Sequence, residues 1–283
     1  MSPCVTQFAP ARVRAPARRR PRGISRSLRI RRALLLSDIH LGWSVCARQH
    51  ARLLDRLPEA AGDAELIVLN GDIVDHHRGL LRSFESELVT RLAEQLATFR
   101  AEGRKVVYVE GNHDVMSTAG SVPVAPDRWC FDWEGAHGER VRVLHGHRFT
   151  EPTFLPGPYE HFGRHLIRAE NYLYAKMNIA RASYRFGPGW FVGAVGLTED
   201  VLWTRPFPAR VTPLLAASDV LVHGHFHFGP ANRQIAGKQV WRSGAWVSRG
   251  HLGSVDRMLR YRDGKFERIG LTSTGFRAFD DNR

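Results

Sequence analysis

The chain has 283 residues, of which 43% are apolar and 24% charged, with a formal net charge of +13. That length can bury the core of one large domain or two small ones, and the composition is that of a globular protein. No run approaches the roughly 18 apolar residues that a membrane-spanning helix needs, so a transmembrane helix is excluded.

The charge is unevenly placed. Residues 1–32 hold ten arginines and no acid, which leaves only +3 for the rest. With Pro10, Pro16, Pro21 and Gly23 and little to bury, residues 1–30 are expected to be a disordered Arg-rich tail. Such a tail reads as a plain extension, as a transit peptide, or as a grip on anionic lipid or nucleic acid. Near a charged membrane each arginine is worth roughly 1 kcal/mol. It has no apolar segment of the secretory type. Three widely spaced cysteines (Cys4, Cys46 and Cys130) give no disulfide framework and no thiolate metal site, and they point to a reducing, cytoplasmic compartment.

In chain order, residues 33–37 read as a strand. Val45 to Leu57 has helical spacing, with Pro58 expected to lie just past its end. Leu66 to Leu69 is a second short apolar run. Phe84 to Arg100 repeats apolar residues at helical spacing and stops before Gly103. Lys105 to Val109 is a third strand. This alternation implies βαβ units in a layered α/β fold. Arg128 to Trp133 and Val141 to Leu144 read as strands around a Gly135/Gly138 turn. Residues 148 to about 210 break the alternation with a long, aromatic and basic helical stretch. Val220 to Val222 and Val240 to Arg242 are strands, and Arg257 to Arg262 with Phe266 to Ile269 closes as a hairpin on Asp263-Gly264.

The strand ends carry the chemistry. Ser37-Asp38-Ile39-His40 follows the first strand, Gly71-Asp72 the second, Gly111-Asn112-His113-Asp114 the third, His145-Gly146-His147 a later one, and Gly224-His225-Phe226-His227 the last. Ligand sites in open α/β sheets lie beyond the carboxyl ends of the strands. Carboxylate, imidazole and one amide, without sulfur, suit divalent Mn, Fe or Zn. Two cations about 3.5–4 Å apart need a shared carboxylate and can clamp both the attacking and leaving oxygens of phosphoryl transfer. The remaining histidines (50, 76, 77, 137, 161, 165, 223 and 251) are read as surface or structural, with His161 and His165 as outside candidates for substrate contact.

These residues resemble the calcineurin-like metallophosphoesterase family through SDIHLG (37–42), NGDIVD (70–75), EGNHD (110–114), LHGH (144–147) and VHGHFH (222–227). The resemblance implies a four-layered α/β/β/α sandwich over residues 31–283. It implies two divalent metal ions, with manganese favoured and iron or zinc as alternatives. Asp38, His40 and His227 would hold one, Asn112, His145 and His225 the other, and Asp72 would bridge them. His113 would contact the scissile phosphate and leaving group, with Asp114 orienting it. At residues 145–147 the strand-end His145 is the expected ligand, with His147 as the alternative.

The DIHLG and GDIVD variants and the basic-aromatic insertion resemble the UDP-2,3-diacylglucosamine hydrolase branch, which splits a nucleotide-sugar pyrophosphate into UMP and lipid X in lipid A synthesis. Residues 150–205 would then be a helical cap for acyl chains, with Arg164, Arg168, Lys176 and Arg181 meeting phosphates. Such an enzyme would be cytoplasmic and peripheral on the inner membrane face. His113 and His147 depart from that branch, where Arg and Asp are common. A soluble phosphodiesterase or phosphatase acting on nucleotides or nucleic acid therefore stays open, as does a non-catalytic scaffold, which would lack ligands that this chain has. Nothing in the sequence sets an oligomeric state.

Overall fold

A computed structural model describes residues 28–42, 46–74, 83–111, 113–114, 126–147, 206–227, 231–248, 254–273 and 275–279. The Arg-rich stretch before residue 28, the whole of the expected cap, Asn112 and the four basic residues assigned to substrate lie outside the described residues.

Two mixed sheets form the centre. Strand β1 (Arg32–Leu36) runs parallel to β2 (Leu66–Asn70), and β2 parallel to β3 (Lys105–Val109). On its other side β1 pairs antiparallel with β10 (Ser254–Arg262), which continues to β11 (Lys265–Thr272) and β12 (Gly275–Ala278). Strand β9 (Gly244–Ser248) also pairs with β10, past the end of β1. The second sheet has the order β4 (Cys130–Glu134), β5 (Arg140–Leu144), β6 (Val220–His223), β8 (Lys238–Arg242), β7 (Asn232–Ile235).

The two-residue period of a strand accounts for the layering. On β1, Ala33 and Leu35 face the second sheet and pack with Val68, Val107, Phe131, Val143 and Val222. Leu34 and Leu36 face the opposite way, onto helices α1 (Ala47–Ala61) and α2 (Ser83–Ala101). With both faces covered, the strand reads as an unbroken apolar run and not as an alternating one. On the outer face of the second sheet, Leu144, Leu221 and Val240 pack on Val211 and Leu215 of helix α3 (Pro206–Leu215). The result is the expected α/β/β/α order. Among the described residues, no helix is long and apolar enough to cross a membrane.

Helix α1 corrects one expectation. It does not stop before Pro58 but continues to Ala61, with Pro58 inside it. A proline leaves the carbonyl four residues back without its helical donor. Here the Gln95 side chain of α2 donates to that Leu54 carbonyl at 2.6 Å, and the last turn buries Ala60 and Ala61 in the core. Helix α3 and strands β7, β9 and β12 were not expected from the sequence.

Candidate metal centre

Strands β1, β2, β3, β5 and β6 all end at one edge of the sandwich, where their following residues meet. The turns after β1 and β2 run side by side: the Asp38 amide donates to the Gly71 carbonyl at 3.0 Å, His40 to Asp72 at 2.9 Å and Leu41 to Ile73 at 2.8 Å. The two sheets are tied beneath them. Asn70 Nδ2 donates to Ser243 Oγ at 3.0 Å, and Ser243 Oγ lies 2.8 Å from the His223 carbonyl.

The backbone of this edge is strained. Asp38, His40, Asp72 and His225 all have positive φ, between 52° and 70°. Left-handed non-glycine residues cost of order 1–3 kcal/mol each and persist only where their surroundings hold them. The glycines in the motifs make room. A Cβ on Gly71 would run into the His145 ring, and one on Gly224 would lie 2.8 Å from both Asp38 Oδ2 and His145 Nδ1.

Among the described residues, three sets of side chains could each hold a cation, their ligand atoms lying within 4.8 Å of one another: Asp38, His40 and His227; Asp72, His145 and His225; and His40, Asp72 and His113. Asp72 and His40 each belong to two sets, so the sets are contiguous. His40 Nε2 and His227 Nε2 are 3.2 Å apart, and His227 Nε2 is 3.4 Å from Asp38 Oδ1. His145 Nδ1 donates to the Asn70 carbonyl at 2.7 Å, which turns its Nε2 towards Asp72 Oδ2, at 3.2 Å, and Asp38 Oδ1, at 3.9 Å. His113 Nε2 is 4.0 Å from Asp72 Oδ2. His147 is buried with its ring 5.6 Å from that of His145 but is not in any of the three sets.

Asp114 is buried and accepts from the Asp72, Ile73, Val74 and Gly111 amides and from the Tyr108 hydroxyl. Its carboxylate is thus turned onto the backbone of the neighbouring turn. Sequence reading missed Tyr108 altogether, because a tyrosine in an apolar strand looks like core. Of the remaining histidines in the described residues, His50 and His223 are buried.

The electrostatics call for a cation. Burial works to raise the Asp38 carboxyl, but the His145 and His227 imidazoles override it and hold its pKa at about 2. Asp72 is likewise held well below the usual carboxylate range, burial being outweighed chiefly by His145 and His113. Burial works to lower His145, yet the Asp72 and Asp38 carboxylates raise its pKa to about 10. Without a metal, a proton on His145 supplies the missing positive charge. Burial and the positive His145 hold His225 neutral, with its pKa well below the usual imidazole range. Ionised carboxylates, a neutral His225 and a His145 that needs a positive charge beside it fit divalent cations, and the O/N donor set without sulfur fits Mn, Fe or Zn.

An α/β/β/α sandwich with acids and imidazoles gathered at its strand ends defines a class of metal-dependent hydrolases. The chain belongs to the calcineurin-like phosphoesterase family, whose model matches residues 31–229, and it is accordingly a metal-dependent phosphoester hydrolase. No curated protein matches it. Among solved structures, similar chains include a predicted phosphoesterase from Streptococcus pneumoniae TIGR4, at 16% identity over 88% of this chain and 97% of that one, with a TM-score of 0.39. The cold-active protein-tyrosine phosphatase of a psychrophilic Shewanella species is 18% identical over 89% and 82%, with a TM-score of 0.45. A dimetal phosphatase from Danio rerio is 12% identical over 86% and 99%, with a TM-score of 0.40. At these TM-scores the likeness carries no further argument.

Proposed function

We propose that this chain is a dinuclear metal-dependent phosphoesterase that cleaves a phosphodiester or pyrophosphate bond. The observation that carries the reading is the sharing of Asp72 and His40 among three adjoining ligand sets. In this reading Asp38, His40 and His227 would hold one metal and Asn112, His145 and His225 the other. Asp72 would serve both. When bound, two divalent cations supply Lewis acidity to the phosphoryl oxygens and lower the pKa of coordinated water.

The chain's own residues do the rest. Asp38 and Asp72 stay ionised at neutral pH, the state in which each would bind a cation. The Asn70 carbonyl fixes the tautomer of His145 so that Nε2 faces inward. His113, a quarter exposed and beside Asp72, is the group placed to donate a hydrogen bond or proton to the leaving oxygen.

For substrate, the reading extends to UDP-2,3-diacylglucosamine, cleaved to UMP and lipid X by a cytoplasmic enzyme peripheral to the inner membrane. The motif variants and the aromatic-basic composition of residues 150–205, proposed as a cap with Arg164, Arg168, Lys176 and Arg181 on the phosphates, support it. The arginines before residue 28 favour a second reading, a phosphodiesterase or phosphatase for nucleotides or nucleic acid, with the tail as a grip on the phosphate backbone. Purified protein with Mn²⁺ is incubated with UDP-2,3-diacylglucosamine, bis-p-nitrophenyl phosphate and single-stranded DNA. Selective UMP release decides for the lipid-linked substrate, turnover of DNA decides for the second reading, and no turnover of any ester overturns both.

A further inference from the structure

The turn after β2 and the turn after β3 hold each other through two aspartates. The Asp72 side chain accepts the His113 amide at Oδ1, at 2.8 Å. In the opposite direction the Asp114 side chain accepts the Asp72 amide at 2.7 Å, Ile73 at 3.1 Å and Val74 at 3.2 Å. The same carboxylate accepts the amide of Gly111 at 2.9 Å and the hydroxyl of Tyr108 at 2.6 Å. All five groups are donors, and Asp114 is 1% exposed.

We propose that Asp114 is a positioning residue for Asp72, acting through the Asp72–Val74 backbone and not on the His113 ring. This rests on the two-metal reading above. Residues 72 and 73 have left the sheet, so their amides have no strand partner there, and Asp72 has φ of 53°. Buried amides need acceptors. A single carboxylate supplies one to three successive amides and to Gly111, which fixes the Asp72 Cα and the side-chain direction together. With Oδ1 tied to the His113 amide, Oδ2 is left to face His145 Nε2 at 3.2 Å and His113 Nε2 at 4.0 Å. The Tyr108 hydroxyl stays protonated, because burial and the Asp114 charge push its pKa well above the ordinary tyrosine value, so it remains a donor. An asparagine at 114 would turn an NH₂ group towards an N–H and could not serve all five.

The test is metal affinity, read by competition with a chelating dye, alongside the melting temperature of the metal-free protein. Asp114→Asn should weaken Mn²⁺ binding by about 10–100-fold, as for other partners that orient a metal ligand. Tyr108→Phe removes one donor and keeps the charge, so it should weaken binding in the same direction by less. If Asp114→Asn does not fold, Tyr108→Phe decides alone: weaker binding with a near-normal metal-free melting temperature supports the role. Lower melting temperatures with unchanged Mn²⁺ affinity would show that Asp114 only stabilises the fold, and would overturn it. Wild-type protein that binds no metal would instead sink the proposed function, and this role with it.

Discussion

His40 and His227 bring their Nε2 atoms within 3.2 Å of each other, ring planes 85° apart, although one follows β1 of the first sheet and the other follows β6 of the second. Both Nε2 atoms belong, with Asp38, to one set of side chains that could hold a cation. The pairing therefore needs both sheets in place, with the Ser243 link between Asn70 and His223 closing the sandwich just below. The centre is thus a product of the whole fold and not of one loop.

Asp72 is the carboxylate that belongs to two of the sets, one with His145 and His225 and one with His40 and His113. Asp72→Ala should abolish activity and lower the metal content at both positions. Metal analysis of the dialysed variant by mass spectrometry checks this; a variant that keeps two ions per chain would remove Asp72 from the bridging role.

His113 stands at the exposed side of the centre, and its backbone is already fixed by the Asp72 carboxylate. His113→Ala should therefore keep both metals and lower turnover by roughly 10²–10⁴-fold, the usual range for general acid–base assistance. Steady-state kinetics with a p-nitrophenyl ester read the turnover. Loss of metal from this variant would mean that His113 is a ligand.

The metal-free protein should depend on pH through the same residues. Asp38 and Asp72 have pKa values lowered by folding, so their contribution to stability is present above about pH 4; that of Asp38 is lost as pH falls towards 2, and that of Asp72 is lost in the same direction. His145 is raised from 6.5 to about 10, so its contribution is full below pH 6.5 and is lost as pH rises towards 10. The melting temperature in chelator should fall between pH 6.5 and 10, and less steeply in His145→Gln. Added Mn²⁺ should displace the His145 proton, which calorimetry in buffers of different ionisation enthalpy reads as proton release. An unchanged slope in His145→Gln would assign the alkaline loss elsewhere.

Gly71 has φ of 80° and touches the space of the His145 ring. Gly71→Ala meets both a strained backbone and a displaced ligand, so it should destabilise the fold by of order 1–3 kcal/mol. It should also weaken metal binding by more than the same substitution at Gly103, which has φ of 83° but open space around it. Equal effects at the two glycines would show that only backbone strain matters.

Much of this arrangement was legible in the sequence because it is local. A short apolar run followed by Asp-x-His or Gly-Asp marks a buried parallel strand and its outgoing turn, and β1, β2 and β3 fall within a residue or so of where those runs place them. What stayed hidden depends on distant partners. The passage of α1 through Pro58 depends on Gln95 of another helix. Helix α3 carries prolines at 206, 208 and 213, which mask a helical reading. Strand β9 exists because β10 outruns β1 and offers it an edge. Asp114 looks like part of a catalytic motif, and only the three-dimensional arrangement turns its carboxylate onto the amides of the neighbouring turn.

The most direct measurement is a crystal structure of Mn²⁺-soaked protein with anomalous scattering recorded at the manganese edge. The account predicts two peaks about 3.5–4 Å apart. One should be bounded by Asp38, His40 and His227 and the other by His145 and His225, with an Asp72 oxygen reaching both. A single peak, or ions bound away from Asp72, would contradict it.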